Sequence, residues 1–433
     1  MTLVTPPGAA GGSTPARPRK RPLIIGLIVL SALLAGGYWW WDHFQARRAW
    51  SAAEAALARR DLAIAAARLD RYLSLRPGDA QGWFQAARTA RRRGEFAEAG
   101  RLLAEYEKLG GAAAAAQFER ELALVQQGRG GDLDRRLRAR YGPTDPDVAL
   151  VLEALARGYM VTDRRADLLQ ACELWNAVDT DHPWPYLWAG LVREKMGLVE
   201  LAAELYGRAL DLAPDDPDAQ VAQGRILTRL RRPAEAAEHF RRVLDRYPDD
   251  DRALLGYAEC LLDLSRPDEA VTFIAKALLR DPNSQKGLYL RGRATLPRDP
   301  AAAELDVRKA VEADPSDPEA LYLLVQCLRA QLKDGEADRS AARLEVLRAD
   351  LNRLGEFLKQ ITTSLEDAKP CHEAGLIALR LGRKAQAVNL FQDALRRKGD
   401  HRPTHAALAE YYEREGSRDL AAYHKRLSEL LPP

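Results

Sequence analysis

Cysteine is scarce: there are four in 433 residues. Cys172, Cys260, Cys327 and Cys371 lie far apart, with no C-x-x-C, no C-x-x-C-H and no Cys/His group at metal-ligand spacing. That excludes the common zinc and haem-attachment frameworks. All four fall in helical patterns among apolar neighbours, which suits small buried hydrophobes; one disulfide or a redox role is the alternative. Catalytic motifs are also lacking. There is no G-x-S-x-G, no H-E-x-x-H, no P-loop, no G-x-G-x-x-G after a strand, and no strand-like segment to hold one. His372-Glu373 is not followed by a second His. His401 and His405 stand at i,i+4, but Pro403 between them puts His401 ahead of the helix, so the two need not share a face. The expectation is a protein that is not an enzyme, with no catalytic residue, no metal and no cofactor.

Charge of one sign is lacking too. The chain holds 65 basic and 62 acidic residues, a net charge of +3, with 47% hydrophobic and 29% charged residues. It is too apolar and too evenly charged for disorder, and too long for one ordinary core. Arg17, Arg19, Lys20 and Arg21 stand near the start with no acid beside them, leaving 61 basic against 62 acidic residues elsewhere. A near-neutral body argues against a general nucleic-acid binder, whose affinity rests on clustered positive charge.

Residues 1–16 are rich in Pro, Gly, Ala and Thr and, with the four basic residues, read as a flexible basic tail over 1–21. Leu23 to Gly37 contains no charge, and Tyr38, Trp39, Trp40 and Trp41 extend it to about the 20 residues that cross a bilayer. Residues 22–41 therefore read as a transmembrane signal-anchor helix, the aromatic residues suiting the membrane–water interface. A signal peptide cut near Ala35-Gly36-Gly37 is the alternative. The basic cluster predicts a cytoplasmic N-terminus and a body on the far side, opposed only by Arg47 and Arg48. The expected location is a single-pass inner-membrane protein with a periplasmic body.

The body shows a period of about 34 residues. Pro214, Pro248 and Pro282 are equally spaced, each after one helix pattern and before the next, where a residue without an N–H ends a helix. Between them recur a large apolar residue, a small one four positions on, a turn, Ala, an aromatic or aliphatic residue, and Ala-Leu. One copy supplies Tyr186, Gly190, Gly197, Ala202, Tyr206, Ala209, Leu210 and Pro214. The next supplies Gly224, Leu227, Ala236, Phe240, Val243, Leu244 and Pro248, and another Leu254, Ala258, Leu261, Ala270, Ile274, Ala277, Leu278 and Pro282. Carboxylates such as Asp215-Asp216 and Asp249-Asp250 fall in the turns, where they cap helix N-termini.

These motifs resemble the tetratricopeptide repeat family, and in particular a single-pass membrane-anchored bacterial type. The resemblance implies an all-α fold, an α-solenoid of stacked antiparallel helix pairs, here preceded by one transmembrane helix. It covers 46–430 with about ten repeats, degenerate at 112–182, where a poly-Ala entry, the Gly128 to Gly131 break and Arg-rich RRLRAR interrupt the pattern. A pair alone cannot bury its apolar face, so stacking is obligatory.

A long-helix insertion is expected at 333–366. Leu344, Leu347, Leu351, Leu354, Leu358, Ile361 and Leu365 alternate spacings of three and four, a seam on one side of a helix. It serves either as a lengthened second helix lying on the solenoid or as a homodimer edge through 344–365.

In this family the first helix of each repeat lines a concave groove. Carried over position by position, the lining includes Phe84, Arg88, Arg91 and Arg92, then Leu187 and Glu194, Arg225 and Arg229, Glu259 and Asp263, Tyr289 and Arg293, and Tyr322 and Arg329. The candidate partner-binding residues are Phe84, Arg88, Arg92, Leu187, Arg225, Arg229, Tyr289, Arg293, Tyr322 and Arg329, a mixture suited to an extended or helical peptide of acidic character. The alternative is a solvated face whose arginines pair with nearby acids. The function expected is a membrane-anchored scaffold binding a protein partner at the extracytoplasmic face. The alternative is a structural subunit of an envelope assembly, secretion or polysaccharide-export complex, docking through 336–363.

Overall fold

The computed structural model describes residues 21–364 and 366–430, with the side chains of 21–36, 38, 39, 362 and 363 outside the description. The described residues form helices and no strands. They divide into two compact units, residues 1–181 and 182–433.

The first unit contains α1 (Arg21–Ala58), α2 (Leu62–Leu75), α3 (Ala80–Arg93), α4 (Phe96–Lys108), α5 (Ala113–Gln126), α6 (Leu133–Arg140), α7 (Val148–Val161) and α8 (Arg165–Val178). Pairing begins in the C-terminal half of α1, where Ala46, Ala49, Ala53 and Ala56 are buried and α1 lies on α2. The interruption expected over 112–182 takes the form of an eight-residue α6 between the longer α5 and α7. Gly158 lets α7 close on the end of α5: a Cβ there would lie 2.1 Å from the Val125 carbonyl oxygen.

Among the described residues no helix is long and apolar enough to cross a membrane. The backbone of the anchor expected over 22–41 belongs to α1, but its side chains lie outside the description apart from those of Gly37, Trp40 and Trp41, and the tail lies outside entirely over 1–20.

The second unit contains α9 (Pro183–Lys195), α10 (Val199–Leu212), α11 (Pro217–Arg229), α12 (Pro233–Arg246), α13 (Asp251–Asp263), α14 (Pro267–Arg280), α15 (Gln285–Thr295), α16 (Pro300–Ala313), α17 (Pro318–Ala330), α18 (Asp334–Thr363), α19 (Lys369–Arg380), α20 (Lys384–Arg397), α21 (Arg402–Arg414) and α22 (Arg418–Leu430). Asp216 and Asp250 start α11 and α13 by accepting backbone N–H groups, from Ala219 at 2.9 Å and from Arg252 and Ala253 at 2.9 and 3.1 Å. Each such cap contributes about 1 kcal/mol.

Close approach is set by small residues facing large ones. Phe240 on α12 is buried between Gly224 of α11 and Gly256 of α13, where added Cβ atoms would lie 2.8 and 2.4 Å from its ring. Tyr206 against Gly190 and Phe391 against Gly375 repeat the device. Each ring gains apolar burial of about 1.5–3 kcal/mol because a neighbouring glycine, two in the case of Phe240, leaves room for it.

Within this unit first helices touch the next first helix at α9 to α11, α11 to α13, α13 to α15, α15 to α17 and α19 to α21, and second helices meet the following first helix. First helices therefore occupy the inner side of the stack.

The helix α18 runs for 30 residues, and its seam settles one alternative. Leu344, Leu347 and Leu354 are buried in the unit's own core, with Leu351, Leu358 and Ile361 packed at its edge. The homodimer edge expected through 344–365 is thus corrected: the six described seam residues are consumed inside the chain, and Leu365 lies outside the described residues. The start of α18 is tied down by Glu304 on α16, which accepts from Lys333 (2.7 Å), Arg308 (2.6 Å) and Gln331 (2.7 Å), while Arg308 also reaches Glu336 (2.7 Å).

Candidate functional site

The ten residues expected to line the groove divide into three in the first unit and seven in the second. All sit on first helices, because the repeat places them at fixed positions of α3, α9, α11, α15 and α17. Their environments differ sharply.

In the first unit Phe84 is a core residue, 8% exposed, its ring 5.0 Å from that of Tyr106 and tilted by 39°. The Arg88 guanidinium lies 4.9 Å above the Phe84 ring and donates to Glu119 at 2.6 Å. Arg92 donates to Glu153 at 2.9 Å. Neither arginine projects freely into solvent, and both acids they meet are buried.

In the second unit Leu187 is buried. Arg225 grips Glu194 of the preceding repeat through two bonds, 3.0 and 2.7 Å, and Arg229 approaches the same carboxylate at 3.4 Å. Glu194 also accepts from the Tyr206 hydroxyl at 2.7 Å. Burial favours the neutral acid, but the hydrogen bonds from Arg225 and Tyr206 outweigh it and hold Glu194 below the usual carboxylate range. Arg293 is bonded to Asp263 at 2.5 Å and Lys286 to Glu259 at 2.7 Å, each again an acid of the preceding repeat. Tyr289 is half-buried beside them, its phenol pushed up to about 12 by burial, with the Glu319 charge acting the same way.

Two of the ten remain open. Tyr322 on α17 is 47% exposed, with the Arg348 guanidinium 5.7 Å from its ring. Arg329, two turns along the same helix, is exposed and has no ion pair among the described residues. The inner face of the second unit is therefore a ladder of internally matched charges over α9 to α15, with an aromatic and an uncommitted cation on α17. It can recognise a chain by shape, aromatic contact and exchange of ionic partners more readily than by bulk positive charge.

The sequence reading missed Glu119, Glu153 and Arg157, which enter the arginine network of the first unit. They lie in the interrupted stretch 112–182, where no repeat position could be transferred. A lone acid inside the apolar run VALVLEALARGYMV was the available signal.

Models of the tetratricopeptide repeat match residues 189–251, 227–294 and 368–401. Tetratricopeptide repeats thus occupy 189–294 and 368–401. Similar solved structures include YrrB, described as a tetratricopeptide repeat protein with an unusual peptide-binding site, at 19% identity, covering 44% of this chain and 96% of that one with a TM-score of 0.36. PilW, a type IV pilus biogenesis factor, is 20% identical over 46% of this chain and 93% of its own, TM-score 0.41. A tetratricopeptide repeat protein from Parabacteroides merdae is 14% identical over 64% and 99%, TM-score 0.38. At these scores the likenesses carry no argument about partners. No curated protein matches the chain.

Proposed function

We propose that this protein is a non-enzymatic scaffold that binds a protein partner along the inner, first-helix face of its repeats. The observation that supports this reading is the open stretch of that face on α17. Tyr322 and Arg329 stand exposed on α17, beside a ladder in which the other arginines are matched to acids. An aromatic and an arginine on one rigid helix are the residue types that anchor partner chains.

The segment 22–41 anchors the scaffold in the inner membrane, with the basic tail in the cytoplasm and the repeats in the periplasm. Charge asymmetry and apolar length support this placement. Anchoring confines the partner search to the membrane surface and raises effective concentration, so modest contacts suffice. The outward face of α18, where Val346 is exposed, is the part left for docking to a larger assembly, since its leucine seam is already used.

The test is a membrane-tethered crosslinking pull-down of the full chain beside the variant Tyr322→Ala/Arg329→Glu. The proposal expects specific envelope proteins with the parent that vanish with the variant. Undiminished capture by the variant overturns it.

A further inference from the structure

Between Asp42 and Glu54 the only formally charged side chains are those of Arg47 and Arg48. Both residues are exposed, and neither side chain has an ion pair or hydrogen bond among the described residues. Asp42 is already engaged: it accepts from Arg76 at 2.7 Å, and Arg76 also meets the His43 ring at 3.2 Å. Two cations therefore stand on α1 with no acid beside them.

The helix fixes where they stand. It runs unbroken from Arg21 to Ala58, so the apolar stretch 22–41 passes into the first repeat without a linker. At about 3.6 residues per turn, Trp40, Trp41, Phe44, Arg47 and Arg48 share one side of α1, while the buried Ala46, Ala49, Ala53 and Ala56 share the other. Asp42 belongs to the buried side, where Arg76 at the end of α2 holds it. The rings on the open side are bare. Trp40, Trp41 and Phe44 are 61%, 55% and 44% exposed, and Phe44 stacks on Trp40 with centroids 5.7 Å apart and planes 9° from parallel. Exposed indoles at the end of an apolar helix belong at the boundary between hydrocarbon and headgroups. Arg47 and Arg48 follow Trp41 by about 9–10 Å along the axis, a distance that their flexible stems adjust to reach the phosphate level.

We propose that Trp40, Trp41, Phe44, Arg47 and Arg48 form one stripe that binds an anionic phospholipid, rings at the acyl boundary and guanidiniums on the headgroup phosphate. The inference rests on the membrane reading of 22–41 and names the lipid class that the anchored helix selects. A guanidinium takes a phosphate through paired N–H donors, and a headgroup of net negative charge, unlike a zwitterionic one, supplies the charge that this side of α1 lacks. Because Asp42 and Arg76 join α1 to α2 at the same level, lipid held by the stripe also steadies the first helix pair against the bilayer.

For the test, the full chain is reconstituted in phosphatidylcholine bilayers, with brominated acyl chains carried at equal mole fraction by either phosphatidylcholine or phosphatidylglycerol. Quenching of tryptophan fluorescence then reports which lipid lies against residues 39–41. Anchoring alone requires quenching by both. The proposal requires phosphatidylglycerol to associate at least about fivefold more strongly, the factor that one arginine near an anionic surface supplies. Arg47→Gln/Arg48→Gln should bring that ratio close to one and leave quenching by brominated phosphatidylcholine unchanged, which shows the variant folded and inserted. Arg19→Gln/Lys20→Gln, ahead of the apolar stretch, should leave the ratio as it is in the parent. Equal quenching by the two lipids in the parent overturns the proposal and leaves the anchor standing, as does a preference that survives the loss of Arg47 and Arg48. Quenching by neither lipid overturns the anchor and the proposal together.

Discussion

Arg225 on α11 donates through Nε and Nη2 to the two carboxylate oxygens of Glu194 on α9, joining residues one repeat apart at 3.0 and 2.7 Å. The bond shows how the inner face is organised. Cations on one first helix find their acids on the one before, so recognition and repeat stacking draw on the same side chains.

Replacing Glu194 by Gln removes the charge that Arg225 and Arg229 face and turns one of the two acceptor oxygens shared by Arg225, Arg229 and the Tyr206 hydroxyl into a donor. Because both arginines are substantially exposed, the loss is modest, about 1–2 kcal/mol. Denaturant unfolding should show it, shrinking in high salt. A change below a few tenths of a kcal/mol at low salt would contradict the ladder.

Gly256→Ala drives a methyl to within 2.4 Å of the Phe240 ring. The neighbouring backbones cannot withdraw without unstacking α12 from α13, so the cost should reach about 1–3 kcal/mol. Combining it with Phe240→Leu should recover part of that loss relative to the sum of the singles. Strict additivity in the double-mutant cycle would show that the two do not meet.

Glu304 yields the pH dependence. Burial disfavours its charge, but hydrogen bonds from Lys333, Arg308 and Gln331 prevail and hold it at about 2. A carboxylate depressed on folding adds stability that is complete above its unfolded value and disappears as pH falls through its folded one. The Glu304 contribution should therefore fade between roughly pH 4.5 and pH 2. Glu304→Gln, expected to cost about 1–3 kcal/mol near neutrality, should approach the parent's stability by the bottom of that window. A gap that stays constant from pH 6 to 2 would refute the assignment.

The four cysteines are buried and none forms a disulfide. Burial pushes Cys260 and Cys327 up to about 11, leaving roughly one thiolate in a thousand at pH 8. Iodoacetamide at pH 8 should label them only on unfolding. Native labelling at the rate of an exposed thiol would show that the stack opens far more readily than its packing implies.

Much of this architecture was legible because its causes are local. The breaks at Pro214, Pro248 and Pro282, and the small residues opposite Tyr206 and Phe240, each act within about one repeat. The charge partners were not legible. Arg225 and Glu194 are 31 positions apart, a separation that means contact only once the helices are stacked in register. The leucine seam of α18 was ambiguous for another reason: its spacing is the same whether it faces a second copy or its own core, and only the buried positions of Leu344, Leu347 and Leu354 decide. The arginine cluster of the first unit escaped because Glu119, Glu153 and Arg157 lie where the repeat pattern lapses.

The most direct measurement places a photo-crosslinking amino acid at position 322 of the full-length protein in native membranes, with position 279 as control. Leu279 on the second helix α14 is 83% exposed, more so than Tyr322, so exposure alone favours the control. The account predicts a discrete crosslinked partner from 322 and none from 279. Equal products from both, or a partner only from 279, would contradict binding along the first-helix face.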